Sequence, residues 1–490
     1  MLFNSYAFIF GFLPVTLLGF FLLGRRSALA AATWLALASV VFYAWWDWHF
    51  SFVLLASILL NYAAGRILAA RAAAGSEVRW PLLLAVGANL LALGYYKYMG
   101  FFAVAAAELL RLDLPVAQVA LPIGISFFTF TQIAFLVDAA RGRVSEPSFV
   151  HYLLFVTYFP HLIAGPVLHH AEMIPQFRRK EAYAPREEAI AVGLTVFLLG
   201  LFKKVVLADE VAVYANAAFA PGHAPSLGCV EAWGGTLAYT LQIYFDFSAY
   251  SDMAVGLSRL FNIRLPANFE SPYQACSVID FWRRWHITLS RFLRDYLYIP
   301  LGGNRRGRLR RHANLMATMV LGGLWHGAGW TFLIWGALHG FYLMLNHAWR
   351  HACSKVGIAP GDSIAGRIAG WAVTFLAVMM AWVFFRAPDL QTAFTVLRAM
   401  AGLQGIAPPV AMDAREILLL TALSAIALLA PNIRQIMGRN DLVLGPVPAT
   451  RPDRRLQWRP GVAWATACFG MFVVSLLQMT RVSQFLYFQF

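Results

Sequence analysis

The chain has 490 residues, 60% of them hydrophobic and 13% charged, with a formal net charge of +15. A soluble protein carries about 25% charged residues, so this composition excludes a soluble globular enzyme and predicts a polytopic membrane protein. In that class a basic excess marks cytoplasmic loops, which excludes a nucleic-acid surface as the reading of the charge.

Residues 6–23 form the first apolar run, with Arg25 and Arg26 after it and no charge before it. A signal peptide has its positive charge ahead of the apolar region, so this is expected to be an uncleaved first helix with its N-terminus outside. The second run, 29–45, ends in Tyr43, Trp45, Trp46 and Trp48, which suit the aromatic belt of the outer interface. Residues 50–65 return inward to Arg66, Arg71 and Arg79, and 81–95 go out again to Tyr95, Tyr96, Lys97 and Tyr98. The run 101–112 is too short to span alone and is expected to lie in the interface or to enter partway. In the span 117–137, Pro122 and Gly124 predict a break near the start. The segment 149–168 holds Pro160, His161, Gly165 and Pro166 and reads as irregular or re-entrant. Such backbone survives at membrane depth only inside protein or along a wet cavity.

Polar residues 176–188 predict a surface loop or interfacial helix, and 189–207 a span whose Lys203 and Lys204 can snorkel. Residues 232–250 lead into YFDFSAYSDMAVGLSRLF. The block 268–311 is rich in Arg and Trp, and its run Arg305, Arg306, Arg308, Arg310 and Arg311 is placed in the cytoplasm. Further spans are expected at 313–326, 330–347, 366–385, 415–431 and 461–480, with an Arg- and Pro-rich cytoplasmic loop between Arg434 and Arg459. The last span then exits, so both termini are expected outside. Four cysteines (Cys229, Cys276, Cys353, Cys468) have no CxxC spacing and give no metal site or disulfide framework. No internal repeat is visible, which counts against an inverted-repeat transporter.

Three stretches could carry chemistry. In GGLWHGAGW, His326 is flanked by Gly322, Gly323, Gly327 and Gly329. Glycine lets backbone approach a ligand closely, and an ionisable group at membrane depth is a functional candidate by default. A neutral imidazole there suits acyl transfer, as general base on a hydroxyl that attacks an activated carbonyl. The alternative is a histidine merely satisfied inside a helix bundle. No Ser-His-Asp pattern accompanies it, so no serine acyl-enzyme is expected. The second stretch, FWRRWHITLSRFLRDYLYIPLGGNRRG, reads as one amphipathic surface helix, with Trp282, Trp285, His286 and Leu289 on one side and Arg283, Arg284, Arg291 and Arg294 elsewhere. Its basic residues would collect a phosphate-bearing donor or attract anionic headgroups. In the third, YFDFSAYSDMA, Asp246 and Asp252 could orient a histidine or a hydroxyl, or pair with Arg283 or Arg284 to hold the bundle together.

The stretches YFDFSAYSDMAVGLSRLF, NFESPY, FWRRWHITLSRFLRDYLYIPLGGNRRG and GGLWHGAGWTFLIWGALHG, with LPIGISFFTF and YFPHLIAGPVLHH upstream, together resemble the membrane-bound O-acyltransferase (MBOAT) family across roughly 5–430. The likeness is greatest to the bacterial alginate O-acetyltransferase branch. The resemblance implies an all-α polytopic fold, a single integral-membrane domain over 1–490 with its catalytic core at about 120–350. It implies about 10–12 transmembrane helices, with partial and interfacial ones around a funnel. His326 matches the family's catalytic histidine and His286 its second, with Trp325, Asp246 and Asp252 as supporting residues. Acetyl-CoA is the implied co-substrate, with no bound cofactor and no metal. Its expected docking place is the basic cytoplasmic face at Asn304, Arg305 and Arg306. The resemblance further implies an inner-membrane location, a periplasmic SGNH-hydrolase-like acetyltransferase partner, membrane lipid around the bundle, and an exopolysaccharide such as alginate as indirect acceptor.

The end of the chain, FLYFQF at 485–490 within the tail 481–490, resembles the aromatic C-terminal motif of exporting acyltransferase systems. That makes Tyr487 a possible acyl carrier; the alternative is an aromatic anchor at the interface. The rival functions are a D-alanyl or other acyl transferase with a carrier-protein donor, a transporter or flippase of a polysaccharide intermediate, and a non-catalytic scaffold.

Overall fold

The computed structural model describes residues 1–111, 119–144, 148–220, 226–305, 307–357, 361–405, 413–438, 442–445, 456–479 and 485–486. Among them the chain is helical, and its one strand-like feature is a parallel bridge between Pro266 and Leu444. Helix α1 (Leu13–Gly24) has Pro14 in its first turn, where no N–H is needed, and α2 (Ala28–Ala44) is capped by Ser27. Helix α3 (His49–Ala73) follows. Helices α4 (Arg79–Leu93) and α5 (Met99–Leu110) are joined through a π-helical turn, Gly94–Tyr98, into one 32-residue apolar rod. The run 101–110 is therefore not a separate interfacial piece. Nothing in the π turn breaks the backbone ladder, so the helix simply continues.

Helix α6 (Ile125–Ala140) starts at Gly124, whose φ of 73° makes the expected break. Helices α7 (Phe149–Thr157) and α8 (Phe159–Leu162) are parted at Tyr158, and non-helical residues 163–169 lead to α9 (His170–Phe177). This is the irregular segment its Pro and Gly residues predict, and it is buried in protein from Tyr158 to Leu168. Helix α10 (Glu187–Phe202) runs through a π turn, Lys203–Ala208, into α11 (Asp209–Ala218). There follow α12 (Cys229–Leu260), α13 (Val278–Arg284), α14 (Ile287–Leu293), a π turn at Arg294–Tyr298, and α15 (Gly307–His326). The chain closes with α16 (Trp330–Lys355), α17 (Ile364–Arg386), α18 (Leu390–Met400), α19 (Ala414–Leu429), α20 (Ile433–Met437) and α21 (Val462–Gln478).

Five helical rods, Ala7–Gly24, His49–Ala73, Arg79–Leu110, Glu187–Ala218 and Ile364–Arg386, are long and apolar enough to cross a membrane, and α2, α6 and α21 are shorter apolar helices. The chain is a multi-pass, all-α membrane protein. The Tyr6 hydroxyl donates to the Leu476 carbonyl at 2.7 Å, so the start of the first rod and the end of α21 lie side by side.

Helix α12 is the axis. It has 32 residues, and nearly all of them from Ala232 to Leu260 are buried. A helix apolar all round belongs in an interior. Its close partner is α10. A Cβ on Gly193 would strike the Gly256 carbonyl, and one on Gly256 would strike the Phe197 backbone. Glycines at such a crossing let membrane helices gain van der Waals contact, where lipid offers no hydrophobic drive. The N-terminal half of α12 packs in a core with α11, α16, α17, α18 and α19. Its C-terminal half packs in a second core with α1, α2, α6, α7, α8 and α10. The histidines discussed below sit on the seam between the two.

Three of the π turns each turn a polar side chain into the protein, and such widenings are frequent at functional sites. Lys97 reaches the end of α15, Lys204 reaches Asp246 and Asp209, and Tyr296 reaches Asp138. Lys204 is 1% exposed and does not snorkel as the sequence suggests. It lies 2.6 Å from Asp246 Oδ1 and 2.7 Å from Asp209 Oδ1, and Lys203 pairs with Asp252. The acids of α12 are thus neutralised by lysines, not by Arg283 or Arg284, because the π turn aims both lysines across the α10–α12 contact.

Candidate active site

His326 is the last residue of α15. Gly327 and Gly329 then reverse the chain into α16. The two helices lie almost in backbone contact, since a Cβ on Gly323 would strike the Phe332 carbonyl and one on Gly336 the Met319 carbonyl. The close hairpin fixes the imidazole among aromatic edges. Trp325 lies 4.9 Å from it and Trp335 and Phe385 each 5.1 Å, all edge-to-face. Only 5% of His326 is exposed. It borders a cavity of about 160 Å³ together with Trp46, Lys97, Pro122, Ser126, Ile163 and Trp325. That volume holds a few waters or one small acyl group.

His286 is reached differently. The single amphipathic helix expected across 281–294 does not form. Helix α13 stops at Arg284, His286 takes a left-handed backbone with φ 43°, and α14 restarts at Ile287. A non-glycine residue holds that conformation only where its surroundings impose it. Here Asn268 imposes it. Its carbonyl accepts from Ile287 N–H at 3.0 Å, and its Oδ1 accepts from Thr288 Oγ1 at 2.9 Å and pairs with His286 Nδ1 at 3.1 Å. Because Oδ1 only accepts, Nδ1 carries the hydrogen and Nε2 is the basic nitrogen of the neutral ring. The break turns His286 fully inward, 0% exposed, with its ring centroid 6.4 Å from that of His326. We expect Asn268→Ala to free this ring and lower acyl-transfer turnover about 10–100-fold. Initial rates at matched protein level in membranes would measure it.

The structure thus brings His326, His286 and Trp325 together. Trp325 forms a wall, stacked on Phe130 at 5.2 Å with its Nε1 donating to the Ser126 carbonyl at 3.4 Å. Asp246 and Asp252 are placed against lysines. Asp246 is spent on Lys204 and on Leu486 N–H at 3.0 Å, and Asp252 on Lys203. Asn304 and Arg305 are exposed in the turn before α15. Arg306 and Tyr487 lie outside the described residues. The tail immediately before Tyr487 enters the bundle: Phe485 is 1% exposed, edge-on to Tyr250 at 4.7 Å and beneath the Lys204 ammonium at 4.6 Å. Phe485 is therefore no interfacial anchor.

Three groups escaped the reading of the sequence. Asn268 stands in NFESPY, where nothing local reveals that it templates a turn eighteen residues on. His339 is another buried histidine, 0% exposed, accepting from Trp282 Nε1 at 3.3 Å and 4.9 Å from the Trp335 ring. Its only signal was a position between Gly336 and Gly340 in an apolar run. Lys97 stands in the sequence only as the lone cation among Tyr95, Tyr96 and Tyr98 at the outer end of a span.

The family model of the membrane-bound O-acyltransferases, MBOAT, matches residues 116–387, which include both site histidines. The chain belongs to the MBOAT family. It is 44% identical to the peptidoglycan O-acetyltransferase of Helicobacter pylori over 433 residues, 83% of this chain and 81% of that one. It is 42% identical to the probable alginate O-acetylase of Pseudomonas aeruginosa over 406 residues, covering 82% and 75% of the two chains. The teichoic acid D-alanyltransferase of Bacillus subtilis is 27% identical over 234 residues, covering 44% of this chain and 56% of the relative. This MBOAT chain is an acyltransferase.

Proposed function

We propose that this MBOAT enzyme takes an acetyl group from acetyl-CoA at the cytoplasmic face of the inner membrane and passes it across for O-acetylation of an exopolysaccharide of the alginate or peptidoglycan kind. The observation that carries the reading is His326, a buried imidazole at the edge of a small cavity with a second imidazole 6.4 Å away. The names and coverage of the relatives support the acetyl group and a glycan acceptor. The D-alanyl alternative rests on relatives that match a smaller share of the chain.

In this reading His326 is the general base. It takes the proton of an attacking hydroxyl while the oxygen adds to the thioester carbonyl; the intermediate then expels the thiolate, which recovers the proton from the imidazolium. The hydroxyl is that of Tyr487. A phenol ionises more readily than a sugar hydroxyl, and its ester keeps enough acyl-transfer potential for a second step to a periplasmic SGNH-hydrolase-like partner. Support comes from the tail, whose Leu486 N–H is held by Asp246, the neighbour of Phe247, whose ring lies 4.7 Å from His286. Both termini are then periplasmic, and the basic turn at Arg305 faces the donor.

The test is label transfer. Membranes carrying the wild-type chain, His326→Ala or Tyr487→Phe are incubated with acetyl-labelled CoA, and protein-bound label is located by mass spectrometry. We expect label on Tyr487 in the wild type and on neither variant. Label on the polymer or partner but never on Tyr487 would remove the carrier step; no transfer from CoA, with a carrier-protein thioester active instead, would replace the donor.

A further inference from the structure

An α-helix ends with four carbonyls that lack intrahelical partners. In α15 those belong to Gly323, Leu324, Trp325 and His326. Gly323 O is taken within the chain by Gly327 N–H at 3.4 Å. The other three are taken by α5's π turn, far away in sequence. The Tyr98 hydroxyl donates to Leu324 O at 3.0 Å, and Lys97 Nζ donates to Trp325 O at 2.6 Å and to His326 O at 3.2 Å. The third ammonium hydrogen goes to Ser126 Oγ at 3.2 Å. Lys97 is half-buried and no carboxylate pairs with it among the described residues, whereas the buried Lys204 has two. A cation at a helix C-terminus is favoured by the helix dipole.

We infer that Lys97 and Tyr98 are positioning residues for the acyl transfer: they cap, from a different helix, the last turn of the helix that carries His326 and so fix the imidazole at the cavity. The π turn is what makes this possible. Widening the rod at Gly94–Tyr98 places two neighbouring residues toward one partner, whereas on an ordinary α-helix adjacent side chains diverge by about 100°. Ser126 ties the same ammonium to the start of α6, whose first residues line the cavity. The inference rests on the reading of His326 as the base.

The experiment compares wild type, Lys97→Met, Lys97→Arg, Tyr98→Phe and His326→Gln, using acetyl-labelled CoA as probe. A parallel measurement follows amide exchange of the peptide spanning 323–329. For Lys97→Met we expect turnover about 10–100-fold lower, KM for the thioester within about twofold of wild type, and faster exchange at 327–329. Lys97→Arg keeps the charge and donors and should recover part of the turnover, and Tyr98→Phe should lose about two- to fivefold. Wild-type turnover in Lys97→Met, or a change confined to KM, overturns the proposal, as does faster exchange with activity intact. Should Lys97→Met fail to accumulate, Tyr98→Phe carries the test, and full wild-type turnover with unaltered exchange in that variant overturns it. Full activity in His326→Gln would instead sink the reading of the base, and the exchange data would still decide whether Lys97 caps the helix.

Discussion

Replacing His326 with alanine is expected to abolish acylation, with turnover falling at least about 10²–10⁴-fold, the usual contribution of a positioned general base. The protein should still accumulate in the membrane. The imidazole makes edge contacts with Trp325, Trp335 and Phe385, but those rings also hold one another: Trp335 lies 5.1 Å from Phe385 and 5.9 Å from Trp382. Removing the ring enlarges a cavity that already exists beside it. The check is polymer acylation at matched protein level. His326→Ala with normal acylation would leave the bundle without its base and turn attention to His286, whose Nδ1 is already engaged by Asn268.

The second large effect is on stability. Lys204 is buried between Asp246 and Asp209, and losing one partner of a buried ion pair leaves the other charged and desolvated. Lys204→Met should therefore destabilise the protein by about 3–5 kcal/mol, seen as a lower Tm in detergent and reduced accumulation. The double variant Lys204→Met/Asp246→Asn should recover part of that loss, because the stranded charge goes with it. A Lys204→Met protein as stable as wild type would mean that water reaches the acids. The same pair grips the tail, through Leu486 N–H on Asp246 and the Phe485 ring under Lys204. Loss of stability and loss of acyl transfer should therefore appear together in this variant, whereas His326→Ala should show only the second.

Much of this protein is legible before any folding is considered. Lipid solubility is a property of composition, and helix ends follow local rules, so the spans, the break at Gly124 and the irregular backbone around Pro160 are written in neighbouring residues. His326 stands out as a candidate because a titratable ring amid glycines and tryptophans at that depth is a functional hypothesis by default. The tertiary structure decided what those residues do to one another. His286 looked like one position on a continuous surface helix; Asn268, eighteen residues earlier, breaks that helix and swings the ring inward. Asp246 and Asp252 looked like partners for histidine or arginine; a π turn brings lysines to them first. Lys97 stood only at the end of a span; more than two hundred residues of chain separate it from the helix end it caps. A local sequence sets which backbone forms are cheap, but the partner of a buried polar group is chosen by whichever element packs nearest. In a bundle held by glycine contacts and desolvated pairs, that choice is made only when the helices come together.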